Sequence, residues 1–148
     1  MSTYNPTEEM ILSDGWVEYI APVYEETIES VRMHKINEIE YYDQSDKINE
    51  FYIQNTPVWL DKNTRAGLKL RFEAEKAMQK ELTTLWYNHQ EFILPLDSAV
   101  QMLYAIEVYA SQCYDNTQKH IAEVSKLENK EEIENYDFRV GYPEKLRL

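Results

Sequence analysis

A single cysteine, Cys113, occurs among 148 residues. One thiol excludes an intrachain disulfide and a thiolate-rich zinc site, and it fits a reducing compartment. Glycine is almost as scarce: Gly15, Gly67 and Gly141 stand far apart, so no glycine-rich loop can cradle a phosphate, which excludes nucleotide hydrolysis. Basic side chains are in deficit, with 15 Lys and Arg against 27 Asp and Glu and a net charge of -12. Such a charge repels nucleic-acid phosphates and anionic membrane surfaces, so neither is an expected partner. No stretch approaches the roughly 18 apolar residues of a membrane span. Met1 to Pro22 carries Glu8, Glu9, Asp14 and Glu18 with no basic residue, whereas a secretory signal needs a positive start and an apolar run. Secretion by a signal peptide is therefore not expected.

What remains, at 43% hydrophobic, is enough to bury one core. Residues 1–22 read as an irregular arm, with turn signals at Asn5-Pro6 and Asp14-Gly15 and Trp16, Tyr19 and Ile20 as anchors. Residues 23–148 read as one α+β domain. Ile28, Val31, Ile36 and Ile39 recur at helical spacing and predict a first helix from about Tyr24 to Tyr42, with Glu25, Glu26 and Glu29 where the helix dipole favours negative charge. Phe51 to Leu60 then reads as a hairpin turning at Gln54, Asn55 and Thr56, with Pro57 confining its strand to an edge. Asp61 is placed to cap a helix over about Lys62 to Lys80, whose expected inward stripe is Leu68, Phe72, Ala74 and Met78.

A second hairpin is predicted from Leu85-Trp86-Tyr87 and Phe92-Ile93-Leu94 around Asn88-His89-Gln90. It leads into the longest helix, about Ser98 to Leu127. Between Ala99 and Ala110 only Gln101 and Glu107 are polar, which predicts a central element buried on all sides. Hairpin, Leu-Asp and helix thus occur twice, over residues 51–80 and 85–127, as a pseudo-repeat. Two such hairpins are expected to join in one four-stranded antiparallel sheet packed by helices. Glu38-Ile39-Glu40-Tyr41-Tyr42-Asp43 is echoed by Glu132-Ile133-Glu134-Asn135-Tyr136-Asp137, after which Gly141-Tyr142-Pro143 turns the chain into a short tail, Lys145 to Leu148.

Little in this pattern carries catalytic chemistry. His34, His89 and His120 match no compact metal or nucleophile motif. His89 falls in a turn, and His120 lies two helical turns from Cys113, too far for direct contact, so Cys113 reads as a buried structural thiol. Glu107 sits among Leu103, Ile106, Val108 and Ala110, where a buried carboxylate needs a cation, and Arg65 and Arg71 are its candidate partners. Acidic clusters such as Glu25-Glu26 and Glu131-Glu132 lack the ligand alternation of a calcium loop. No catalytic residue, cofactor or metal site is expected. Twelve tyrosines and three tryptophans are a high aromatic load. Trp16, Tyr19 and Tyr24 are the candidate partner-binding residues, and Trp59 and Trp86, at matching places on the hairpins, are expected in the core.

Val58-Trp59-Leu60-Asp61-Lys62-Asn63-Thr64-Arg65, Glu75-Lys76-Ala77, Thr84-Leu85-Trp86-Tyr87 and Met102-Leu103-Tyr104-Ala105-Ile106-Glu107-Val108-Tyr109-Ala110 resemble a domain of unknown function found in bacteriophages and in prophages of gut anaerobes. Cys113-Tyr114, Thr117, His120, Tyr136-Asp137 and Gly141-Tyr142-Pro143-Glu144 fit the same family, and the resemblance runs from about Lys35 onward. It brings no catalytic residues. It implies the company of tail or tail-fibre genes, and hence a tail-associated structural part or assembly helper that binds another protein, a tail or fibre component, in the host cytoplasm or the virion. Self-association stays open. Two alternatives remain at this point: an acidic DNA-mimic decoy that binds a host protein, prompted by the charge, and a small hydrolase using Glu107 or His120.

Overall fold

The structure, a computed structural model, describes residues 25–148. The arm over residues 1–22 and its aromatic anchors, with Tyr24, lie outside the described residues. Thr27 is extended and its hydroxyl accepts the Ser30 N–H at 3.1 Å, so helix α1 runs Ile28–Asp43 rather than starting at Tyr24. Its buried positions are Val31 and Ile39. Ser45 then caps a single turn, α2 (Asp46–Asn49), which the sequence reading did not foresee and which puts Ile48 into the core.

Strands β1 (Phe51–Ile53) and β2 (Thr56–Val58) form the first hairpin. Its turn residues Gln54 and Asn55 both adopt left-handed backbone, φ 49° and 65°, as the right-handed twist of a two-residue hairpin demands. Asp61 Oδ1 accepts the Thr64 N–H at 2.7 Å and starts α3 (Lys62–Ala77). Three residues earlier than expected, α3 ends in a Schellman arrangement: the Lys80 N–H reaches Glu75 O at 3.0 Å, the Gln79 N–H reaches Lys76 O at 3.0 Å, and Gln79 is left-handed at φ 59°. The inward stripe also differs. Steps of four and three residues carry it from Leu68 to Phe72 and on to Glu75, so Ala74 and Met78 point to solvent and a glutamate takes the inner place.

The second hairpin, β3 (Leu82–Tyr87) and β4 (Gln90–Pro95), turns at Asn88 and His89 with φ 46° and 65°. It feeds α4 (Leu96–Lys126), and Asn129 caps the last short helix, α5 (Lys130–Glu134). The buried residues of α4 are Leu96, Ala99, Leu103, Ile106, Tyr109, Cys113, Thr117, His120 and Val124, a seam advancing by threes and fours. One stripe, not the whole circumference, is buried. Tyr104, Glu107 and Val108 face outward, which corrects the expectation of a helix enclosed on all sides.

The α+β class holds, with a helix followed by two hairpin-plus-helix units. The single four-stranded sheet does not form: the hairpins are two separate two-stranded sheets. Residues 146–148, expected to be an irregular tail, instead lie parallel along β1, with the Tyr52 N–H donating to Leu146 O at 2.9 Å and the Leu148 N–H to Tyr52 O at 2.8 Å. The outer edge of β1 is thereby occupied, and Pro57 on β2 and Pro95 on β4 each lack the N–H that a further strand would need.

Two left-handed positions filled by ordinary side chains are sites of recoverable stability. Gln79→Gly, and separately His89→Gly, which creates an Asn-Gly turn, should each raise unfolding free energy by about 1 kcal/mol. The check is a urea midpoint that moves up for both variants.

Candidate functional site

An open cleft of about 550 Å³ lies between the end of α1, the start of α3 and the middle of α4, lined by Asp43, Gln44, Asn49, Trp59, Asp61, Arg65 and Tyr114 among others. Three of its charged groups, Asp43, Asp61 and Arg65, are already engaged. Arg65 donates from Nε to Glu107 Oε1 at 2.6 Å and from Nη1 to Leu60 O at 2.9 Å. Asp43 Oδ1 accepts the Thr117 hydroxyl at 2.7 Å. Asp61 is held below the usual carboxylate range, chiefly by the Thr64 backbone N–H. No Ser, Cys or His lines the cleft, so a nucleophile–base pair is not assembled there.

Of the three residues grouped as a buried ion pair, the fold joins two. Glu107 meets Arg65, but on the surface, with the Glu107 side chain 50% exposed. Arg71 turns to Glu75 instead, Nε to Oε1 at 2.7 Å. Glu75 is the buried carboxylate of the molecule as described, and it also accepts the Thr83 hydroxyl at 2.9 Å, with Lys80 Nζ 3.3 Å from its second oxygen. Burial by itself would raise its pKa; hydrogen bonds from Thr83, Arg71 and Lys80 outweigh burial and hold the carboxyl below its ordinary value. The signal for Glu75 lies in its place three residues after Phe72 on the buried stripe, which its charge masks in the sequence.

His120 is buried and fully employed. Its Nε2–H donates to Val140 O at 2.7 Å, which leaves Nδ1 as the acceptor for the Tyr136 hydroxyl at 2.7 Å. Asn116 Nδ2 donates to the same carbonyl at 2.9 Å. One helical turn away, the Thr117 hydroxyl donates to Asp43, so it is the Tyr142 hydroxyl that donates to Thr117, at 2.7 Å. These bonds fasten the loop over residues 136–142 to α4 and α1. Glu107 and His120 are 13 residues apart on one helix, roughly 20 Å, so they share no site. Cys113 is fully buried, its thiol directed at Ile48 O at 3.5 Å, and burial pushes its pKa up to about 11.

The second hairpin presents an apolar outer surface. Thr83, Leu85 and Phe92 are buried on its inner face, with Leu94 and Tyr87 partly so. Its outer face carries the cross-strand pairs Leu82–Pro95, Thr84–Ile93 and Trp86–Glu91. Leu82, Trp86 and Ile93 remain 56%, 60% and 61% exposed. Trp86 is therefore not a core residue as expected, because the side-chain alternation that buries Leu85 sends its neighbour outward. Trp59, in the other hairpin, is half-buried.

No group of three or more metal-ligating side chains is found among the described residues, and no helix there is long and apolar enough to cross a membrane. No family model, curated protein or solved structure matches the chain.

Two outcomes test this description. Cys113 should stay unreactive toward a thiol reagent at pH 8 in the folded protein and react fully once urea is added, since the thiolate is both suppressed and enclosed. A carboxyl whose folded pKa is depressed contributes stability that is present above its unfolded pKa and lost as pH falls through the folded value. Unfolding free energy should accordingly decline below about pH 4.5, and Glu75→Ala should cost about 1–3 kcal/mol at pH 7 while flattening that decline.

Proposed function

We propose that this chain is a non-catalytic protein-contact module, a phage or prophage tail-associated structural part or assembly helper acting on a larger virion protein. The observation that carries the contact reading is the outer face of β3–β4, where Leu82, Trp86, Ile93 and Pro95 are exposed side by side. Apolar side chains grouped in this way, and a tryptophan above all, are what protein interfaces bury. The groups best suited to chemistry support the same reading, because Cys113, His120 and Glu75 are spent on internal bonds. The tail association rests on the sequence resemblance over residues 35 onward, and the acidic charge favours a basic contact surface on the partner.

Co-expression with tail and fibre proteins from neighbouring genes should yield a complex that survives purification. Trp86→Ala should weaken it at least tenfold while leaving the thermal unfolding midpoint almost unchanged. If no such protein co-purifies in any combination, and mass spectrometry finds the chain neither in virions nor on assembly intermediates, the tail reading is wrong.

A further inference from the structure

The two hairpins have the same construction, and one of them is filled. In a two-residue hairpin the pair flanking the turn is hydrogen-bonded and alternate pairs are not. Ile53–Thr56 and Phe51–Val58 are therefore bonded pairs in the first hairpin, and the backbone of Tyr52 points outward. It is this outward Tyr52 that receives Leu146 and Leu148. In the second hairpin Tyr87–Gln90, Leu85–Phe92 and Thr83–Leu94 are the bonded pairs. The Leu96 N–H to Glu81 O bond of 2.8 Å continues the same alternation. Leu82, Thr84 and Trp86 consequently direct their N–H and C=O groups away from β4, and none of them has a backbone partner there among the described residues.

The edges of this hairpin are not equal. β4 is closed to strand addition by Pro95, which has no N–H, and by the charge of Glu91, the usual devices for blunting an edge. β3, Leu-Thr-Thr-Leu-Trp-Tyr, has neither proline nor charge across six residues. It is an open edge with high strand propensity. The first hairpin also shows what such an edge accepts. The Arg147 guanidinium lies 4.4 Å from the centre of the Tyr52 ring, and the position equivalent to Tyr52, one before the turn-flanking residue, is Trp86. Trp86 is a stronger cation acceptor than tyrosine, its ring is exposed, and Glu91 sits across from it on the same face.

Resting on the protein-contact reading and naming the chemistry of its partner, we propose that β3 adds an extended basic-apolar segment of another protein along its free edge. That segment runs parallel to β3 as residues 146–148 run along β1, with an Arg or Lys stacked on Trp86 beside Glu91. Main-chain bonds to Leu82, Thr84 and Trp86 supply the attachment, and the cation supplies selectivity. The net charge of -12 favours this occupant over a second copy of the same acidic chain.

The probe is a seven-residue blocked peptide alternating leucine and arginine, patterned on Leu146-Arg147-Leu148, with a counterpart carrying glutamate for arginine. The arginine peptide should bind the full chain, the glutamate peptide at least tenfold more weakly. Hydrogen exchange should show new protection at the Thr84 and Trp86 amides. Trp86→Ala should weaken binding about tenfold, and Thr84→Pro, which removes an outward donor but no bond to β4, should abolish it. Because Thr84→Pro tests the idea only if it folds, the exchange pattern of the unaltered protein stands as the second measurement. Absence of binding at millimolar peptide, equal binding of both peptides, or protection confined to Glu91 and Ile93 overturns the proposal. So does protection of the β3 amides without peptide in a dimer, which would make a second copy the occupant. Peptide binding without any tail partner would sink the tail assignment alone, whereas a tail complex weakened by Trp86→Ala but indifferent to Thr84→Pro would sink this inference alone.

Discussion

One seam of side chains on α4 is the constraint to which the rest of the molecule answers. Two-stranded sheets of three and six residues have too little face of their own to be stable in water. They persist because a 31-residue helix, roughly 46 Å long, offers each a stretch of that seam. Leu96, Ala99 and Leu103 pack with Phe72; Ile106, Tyr109 and Cys113 pack with both hairpins and Ile48; Val124 packs with Val31, Ile39, Ile133 and Phe138. The seam also changes character along its length. Near β1 and α2, Tyr109 donates to Ile48 O and Glu50 O, and from there Thr117 and His120 hold other segments through side-chain bonds. Polar groups at such depth are tolerated because each has a partner, and breaking one would leave the other unsatisfied at a cost of about 1–3 kcal/mol.

Scarcity of glycine shapes the backbone in a way composition alone does not reveal. Among the described residues, five that are not glycine, Gln54, Asn55, Gln79, Asn88 and His89, occupy left-handed conformations, where a Cβ is normally penalised. Four of them make the two hairpin turns, whose twist permits little else. At Gly141, φ 85°, glycine is retained for a second reason: an added Cβ would lie 2.6 Å from Asn116 Oδ1, the side chain that holds Val140 O. Backbone strain is thus accepted where hairpin hydrogen bonds compensate, and avoided where a close approach leaves no room.

Local chemistry was legible and long-range placement was not. The Asp61 cap, both hairpins and their turns, and the long helix follow from residue type and spacing, since those signals act within a few residues. Ser45 and α2 were missed because a four-residue helix has no periodicity to read. Leu82 to Thr84 extends β3 beyond the apolar run that starts at Leu85, because two threonines interrupt that run while still alternating between the two faces. Three larger errors share a different cause. Which edge of β1 is filled, whether Trp86 is covered, and whether Glu107 or Glu75 is the buried carboxylate all depend on which elements meet. Trp59 and Trp86 show the difficulty, since both precede or follow a buried leucine and only the surrounding packing separates a half-buried ring from an exposed one. The exposed face of the second hairpin was invisible for the same reason: apolar residues on both sides of a strand read as core until something is found to cover only one.

An open β edge binds through groups that every polypeptide possesses, so hydrogen bonding alone cannot select a partner. Natural proteins usually answer by blunting the edge with charge or proline, as β2 and β4 are blunted here. β3 is not, and for a chain without further protection that would invite self-pairing. The acidic surface supplies the protection at a distance. In the proposed pairing, like-charged copies are held apart before their edges can meet, whereas a basic segment is drawn in and meets Trp86 and Glu91, which face each other across the hairpin. On this view the excess of carboxylates is not a solubility feature incidental to function. In the proposed pairing it is the repulsive half of recognition, one uncharged strand is the attractive half, and specificity requires both.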